Sequence, residues 1–120
     1  MDIKEVYEKI GGNYDTLTKR IPSAALIVKF VGKFLNDGSF KSLVDAMEAG
    51  NVKEAFTAAH TLKGVCGNLS LDRLYNSAST LTEMLRNADG VMPEGAFDAL
   101  EVIKQDYQQC VDVINQFLAA

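Results

Sequence analysis

With one histidine and two cysteines among its 120 residues, the chain lacks the raw material of most catalytic and metal sites. Cys66 and Cys110 form no CxxC pair, and with His60 as the sole histidine they cannot supply the four ligands of a structural zinc site. They are far apart in the chain and build no disulfide framework. A chain of this length buries a sufficient core without staples, so both read as reduced thiols packed in the interior. Basic residues are also scarce. Twelve Lys+Arg face sixteen Asp+Glu, for a formal charge of −4 and a pI near 4.9. General nucleic-acid binders and anionic-membrane binders need the opposite balance to displace counterions. Long apolar runs are missing too. The longest, Ala24 to Val28, is far too short to span a bilayer, and Met1-Asp2-Ile3-Lys4-Glu5 lacks the apolar centre of a signal peptide. A soluble, cytoplasmic protein with no nucleic-acid partner, no membrane insertion and no metal site of its own is expected. HExxH, GxSxG, the Walker loop and GxGxxG are all absent.

What the chain does have is apolar residues at spacings of three and four in almost every segment, without β-branched alternation or hairpin turns. The pattern predicts an all-α fold. Asp2 and Glu5 form a capping box for a first helix that carries Ile3, Val6, Tyr7 and Ile10 and ends at Gly11-Gly12. A short turn or helix through Tyr14 and Leu17 leads to Pro22. Ser23 caps a helix with the stripe Leu26, Ile27, Phe30, Val31, Phe34 and Leu35, broken by Asn36-Asp37-Gly38. Ser39 is expected to cap the next helix, which buries Phe40, Leu43, Val44 and Met47. Asn51 with Glu54 opens a helix running to about Ser70, followed by one carrying Leu71, Leu74, Tyr75, Ala78, Leu81, Met84 and Leu85. Pro93 suits the first turn of the last helix, with Phe97, Leu100, Val102, Ile103, Tyr107, Val111, Ile114 and Leu118. Short connections favour an antiparallel up-and-down four-helix bundle with additional short N-terminal helices, forming one domain over residues 1–120.

The helix from Asn51 to Ser70 carries the only chemistry in view. At about 100° per residue, Ala58, Leu62, Val65, Cys66 and Leu69 fall between roughly 140° and 240° from His60. The apolar stripe thus lies opposite the histidine, which faces outward. On the His60 side stand Lys53, Thr57, Lys63, Gly64 and Gly67, with Phe56 at the flank. A glycine in an exposed helix interior costs about 1 kcal/mol relative to alanine, so two of them there need a reason. Bare backbone beyond the histidine clears the imidazole for another molecule, and Lys63 places an ammonium where an anion on the ring would sit. Imidazole, with an ordinary pKa of about 6.5, is a competent nucleophile near neutral pH. Nucleophile, cation and clearance together suggest a phosphoryl group passing through His60. Each residue also has an ordinary reading: an idle surface histidine, solvated lysines, helix-packing glycines, a packed Phe56 and an inert Cys66. Their conjunction on one face is what points to chemistry.

His60-Thr61-Leu62-Lys63-Gly64-Val65-Cys66-Gly67-Asn68-Leu69 resembles the signature of histidine-containing phosphotransfer (HPt) domains, which carry phosphoryl groups in two-component phosphorelays. Phe34-Leu35-Asn36-Asp37, the Ala46 to Gly50 helix end and Ala55 to Ala59 resemble the family as well, so the likeness extends over essentially the whole chain. It implies a four-helix bundle with His60 as phosphoacceptor, Lys63 stabilising the phosphoryl group, and Gly64 and Gly67 admitting the partner, with Phe56, Thr57 and Lys53 as a docking rim. The implied partners are response-regulator receiver domains and a hybrid sensor histidine kinase. Mg²⁺ is expected on the receiver, no cofactor on this chain, and a monomeric phosphoryl carrier in place of an ATP-binding kinase. Ser70 stands where many members have a further glycine, and it is expected to cap the helix that follows. Kinase dimerisation domains typically follow their histidine with an acidic residue and then a proline. Here Thr61 follows, and no proline occurs between His60 and Pro93. A helical adaptor that binds signalling partners without chemistry is the alternative from another class.

Overall fold

A computed structural model describes residues 1–120. It contains seven helices and no strand: α1 Ile3–Ile10, α2 Tyr14–Arg20, α3 Ala24–Phe34, α4 Ser39–Glu48, α5 Val52–Asn68, α6 Asp72–Arg86 and α7 Ala96–Ala119. The local start signals operate as their side chains dictate. Asp2, Asn13, Ser23 and Asn51 each accept a backbone N–H from three residues ahead, satisfying donors that the first turn of a helix leaves free. Gly11 ends α1 in the left-handed conformation (φ 71°), which a side chain would resist.

Turns of three residues, 49–51 and 69–71, join α4 to α5 and α5 to α6, so consecutive helices pack side by side. α7 packs along α6. It also reaches α4, where Tyr107 stacks on Phe40 with ring centroids 3.8 Å apart and planes 5° apart. α4 to α7 thereby form the bundle. α1 lies against α7 and shares a single core of 28 buried residues with it. The Tyr7 hydroxyl, buried at the end of α5, donates to the Leu69 carbonyl at 2.8 Å.

Several expectations are corrected. Ser39 is the first residue of α4 and not its cap: its N–H and hydroxyl both donate to the Asp37 carboxylate, the more strongly accepting group. Ser70 does not cap α6 either. It holds a left-handed backbone (φ 51°), and its hydroxyl accepts from Arg20 Nη2 at 2.7 Å. α5 ends at Asn68, short of Ser70. Pro93 precedes α7 without entering it, because the left-handed Gly95 (φ 84°) interrupts helical geometry before Ala96. Leu26, Phe97, Val102 and Leu118 are not core but 44–50% exposed. α3 touches the rest only lightly, so its buried stripe narrows to Ile27, Val31 and Phe34. In α7 the buried line runs Ala96, Leu100, Ile103, Cys110 and Ile114. Phe97 and Val102 lie a quarter-turn off that line, and Leu118 lies past its end.

Candidate functional site

α5 is gripped between α4 and α6, and it buries Val52, Ala55, Ala58, Ala59, Leu62 and Cys66. Three of these are alanines, whose small side chains let the flanking helices approach on a broad front. What remains for solvent is the strip with Lys53, Thr57, His60, Thr61 and Gly64, all exposed. His60 therefore stands on the solvent face of a helix held on both flanks. Val65 is half-buried and Cys66 fully so, as helical spacing predicts. Burial pushes the Cys66 thiol well above its ordinary range and the Cys110 thiol up to about 12, so both remain protonated at neutral pH.

The surroundings of the imidazole are asymmetric. One turn toward the N-terminus, the Phe56 ring lies 5.9 Å from it, centroid to centroid, with planes 28° apart. One turn toward the C-terminus, a methyl group at Gly64 would find no atom within 4 Å. Gly67 differs from the bare position its helical angle predicts. It is half-buried, and a methyl group there would meet the Tyr75 ring at 3.3 Å. The space left by its missing side chain is taken by α6. Lys63 is half-buried as well, and its Nζ lies 5.8 Å from the Tyr75 ring centroid, so the ammonium rests against α6 and not beside the imidazole where its spacing predicts it.

The rim residues divide. Lys53 and Thr57 line two shallow grooves along the N-terminal half of α5, one shared with Ser42 of α4 and the other with Arg86 of α6, and His60 lines neither. The hydroxyls of Thr57 and Thr61 donate back to the carbonyls of Lys53 (3.2 Å) and Thr57 (2.9 Å). Phe56 is half-buried, and its ring sits beneath the Arg86 guanidinium at 4.9 Å. Arg86 and Tyr75 escaped the sequence reading, which placed Tyr75 in the core and gave Arg86 no role. A signal was present in the antiparallel register of α5 and α6, since the pairs Gly67/Tyr75 and Phe56/Arg86 are both symmetric about Leu71. Arg86 is also ion-paired with Glu83, and Glu54 and Asp89 share the grooves with Lys53, so basic and acidic side chains alternate along this rim. No three His, Cys, Asp or Glu side chains are grouped to hold a metal ion, and no helix is long and apolar enough to cross a membrane.

The bundle presents one histidine, with a lysine and a glycine one turn along, on the exposed strip of a central helix. The chain belongs to the Hpt domain family, whose model matches residues 36–118, more than half of its length. Hpt domains are the phosphotransfer modules of two-component signalling and are carriers, not kinases. The match takes in α4 to α7 and leaves α1 to α3 outside, less than the nearly complete likeness read from sequence. No curated protein and no solved structure matches the chain significantly.

Proposed function

We propose that the chain carries a phosphoryl group on His60 between aspartates of receiver domains in a phosphorelay. The observation that supports this most is the contrast at one site. The sole histidine is exposed on a helix that is otherwise buried on both flanks, and the turn beyond it is an open glycine. A receiver bringing an aspartyl phosphate and its own Mg²⁺ approaches over Gly64. The imidazole nitrogen attacks phosphorus as the bond to the aspartyl oxygen breaks, and the carboxylate leaves with that electron pair. Lys63, one turn along, swings from the Tyr75 ring to balance negative charge on the phosphoryl oxygens in the transition state. The same steps run in reverse to load a second receiver, and a hybrid kinase with its own receiver is a suitable donor. The chain needs no cofactor of its own for any of these steps.

The test is to mix the protein with a panel of phosphorylated receiver domains and follow acid-labile label onto the chain. Label appears with at least one receiver on the phosphotransfer reading. Receivers that bind without passing label would indicate an adaptor.

A further inference from the structure

We propose that Phe56, pinned by Arg86, is a positioning residue that fixes the plane of the His60 imidazole for in-line attack. The inference rests on the phosphotransfer reading and adds to it a role that the docking rim expected from sequence did not include. Side chains on a helix lean toward its N-terminus, so a residue at i+4 settles over the one at i. His60 accordingly lies over Phe56, 5.9 Å away and 28° from parallel, within the range of an offset aromatic stack.

The Phe56 ring is itself held. From α6 the Arg86 guanidinium sits 4.9 Å from its centroid, and Glu83, one turn earlier, holds Arg86 through a 3.3 Å contact between Nε and Oε2. A wall on the N-terminal side thus faces open space at Gly64 on the other. An exposed histidine would otherwise sample several rotamers, and only those that aim a nitrogen along the approach line react. Stacking on the Phe56 wall favours the one rotamer that lays the imidazole on it over those that swing out toward Gly64. It also meets the charge of the reaction. As the N–P bond forms and the aspartyl carboxylate departs, the ring carries positive charge until its second nitrogen releases a proton to water. The π-face of Phe56 lies beside that charge.

The experiment uses the full chain with Phe56→Leu, Phe56→Tyr and Arg86→Ala, each checked by thermal unfolding. Two readouts are taken: transfer from a phosphorylated receiver at increasing receiver concentration, and the imidazole C–H resonances, which His60 alone supplies. In Phe56→Leu the resonances move downfield as the ring current is lost. The saturating rate falls about three- to tenfold, the size of one aromatic contact, and the half-saturating receiver concentration holds. Phe56→Tyr restores both. Arg86→Ala gives a smaller change in the same direction and adds nothing in the Phe56→Leu background. Unmoved resonances, a loss confined to half-saturation, or additive effects of the two substitutions would overturn the proposal. Should the wild type accept no label from any receiver, the phosphotransfer reading fails by itself, and the resonances still decide whether Phe56 holds the ring.

Discussion

An alanine methyl at Gly64 would enter open space, whereas the same methyl at Gly67 would press the Tyr75 ring from 3.3 Å. Gly64→Ala should therefore raise the unfolding free energy by up to about 1 kcal/mol through helix propensity. Gly67→Ala should gain less, since the ring has to yield, and thermal unfolding of the two proteins side by side checks the ordering. Gly64→Val should fold yet transfer at least about tenfold more slowly, because the branched side chain fills the approach to the imidazole. Normal transfer in that variant would mean the open position is not used by a partner. Lys63→Ala should slow transfer by about tenfold or more through lost charge stabilisation, while stability drops by less than about 1 kcal/mol with the loss of a half-buried stem over Tyr75. Rates equal to wild type would reduce Lys63 to a packing residue. The two glycines also show how far a residue could be understood from sequence. Helical angle gives the face on which each lies. Whether that face is open depends on α6, whose Tyr75 has no local signature.

α5 owes its position to devices at both ends, and only one of them is local. Asn51 caps its start by accepting the Glu54 N–H, but the reciprocal half of the expected capping box does not form, because the Asn51 N–H donates to the Ala46 carbonyl. At its end the Gly67 carbonyl and the Ser70 hydroxyl both accept from Arg20 Nη2, at 3.1 and 2.7 Å, and Tyr7 from α1 reaches the Leu69 carbonyl. These groups come from residues distant in the chain, which explains why Ser70 could pass for a cap in the sequence. Asp2, Ser23 and Asn51 were legible because an N-cap is decided within three residues. Ser39 was not, because Asp37 beside it accepts more strongly and takes both its donors. Replacing Ser70 separates its two properties. Ser70→Ala and Ser70→Gly both remove the hydroxyl acceptor and leave Arg20 the Gly67 carbonyl, but only alanine keeps a Cβ at φ 51°. The glycine variant should therefore be more stable than the alanine variant by about 1 kcal/mol, the cost of a left-handed L-residue. Equal denaturant midpoints would show that the turn relaxes to an ordinary conformation.

Across the whole molecule, the all-helical fold was legible because nearly every helix announces itself by apolar spacing. The way α3 lies lightly on the rest was not, since its sequence is as apolar as a buried helix, and Leu26 is exposed only because few elements cover it. The shared core also stores a pH dependence. Burial raises the pKa of Cys66, of Tyr7 and of Cys110, the last from 9.0 to about 12. Unfolded, these groups release their protons at ordinary values, so from about pH 9 upward the native state binds more protons than the unfolded one and stability falls as pH rises. Denaturant unfolding at pH 8 and pH 11 should show stability lost only on the alkaline side, at up to about 1.4 kcal/mol per pH unit for each group. A flat profile would mean the thiols and the phenol are reached by water. For the site, the sequence supplied His60, Lys63 and Gly64, which share one helix. Arg86 and Tyr75 entered only when α6 was laid against α5. The central claim is that one side chain carries the phosphoryl group, and it is tested most directly by exposing wild type and His60→Gln to the same phosphorylated receiver. Wild type should take up one acid-labile, alkali-stable phosphoryl group per chain, while His60→Gln unfolds at the same temperature and takes none. Label retained by His60→Gln, or found on an aspartate or serine of the wild type, would contradict it.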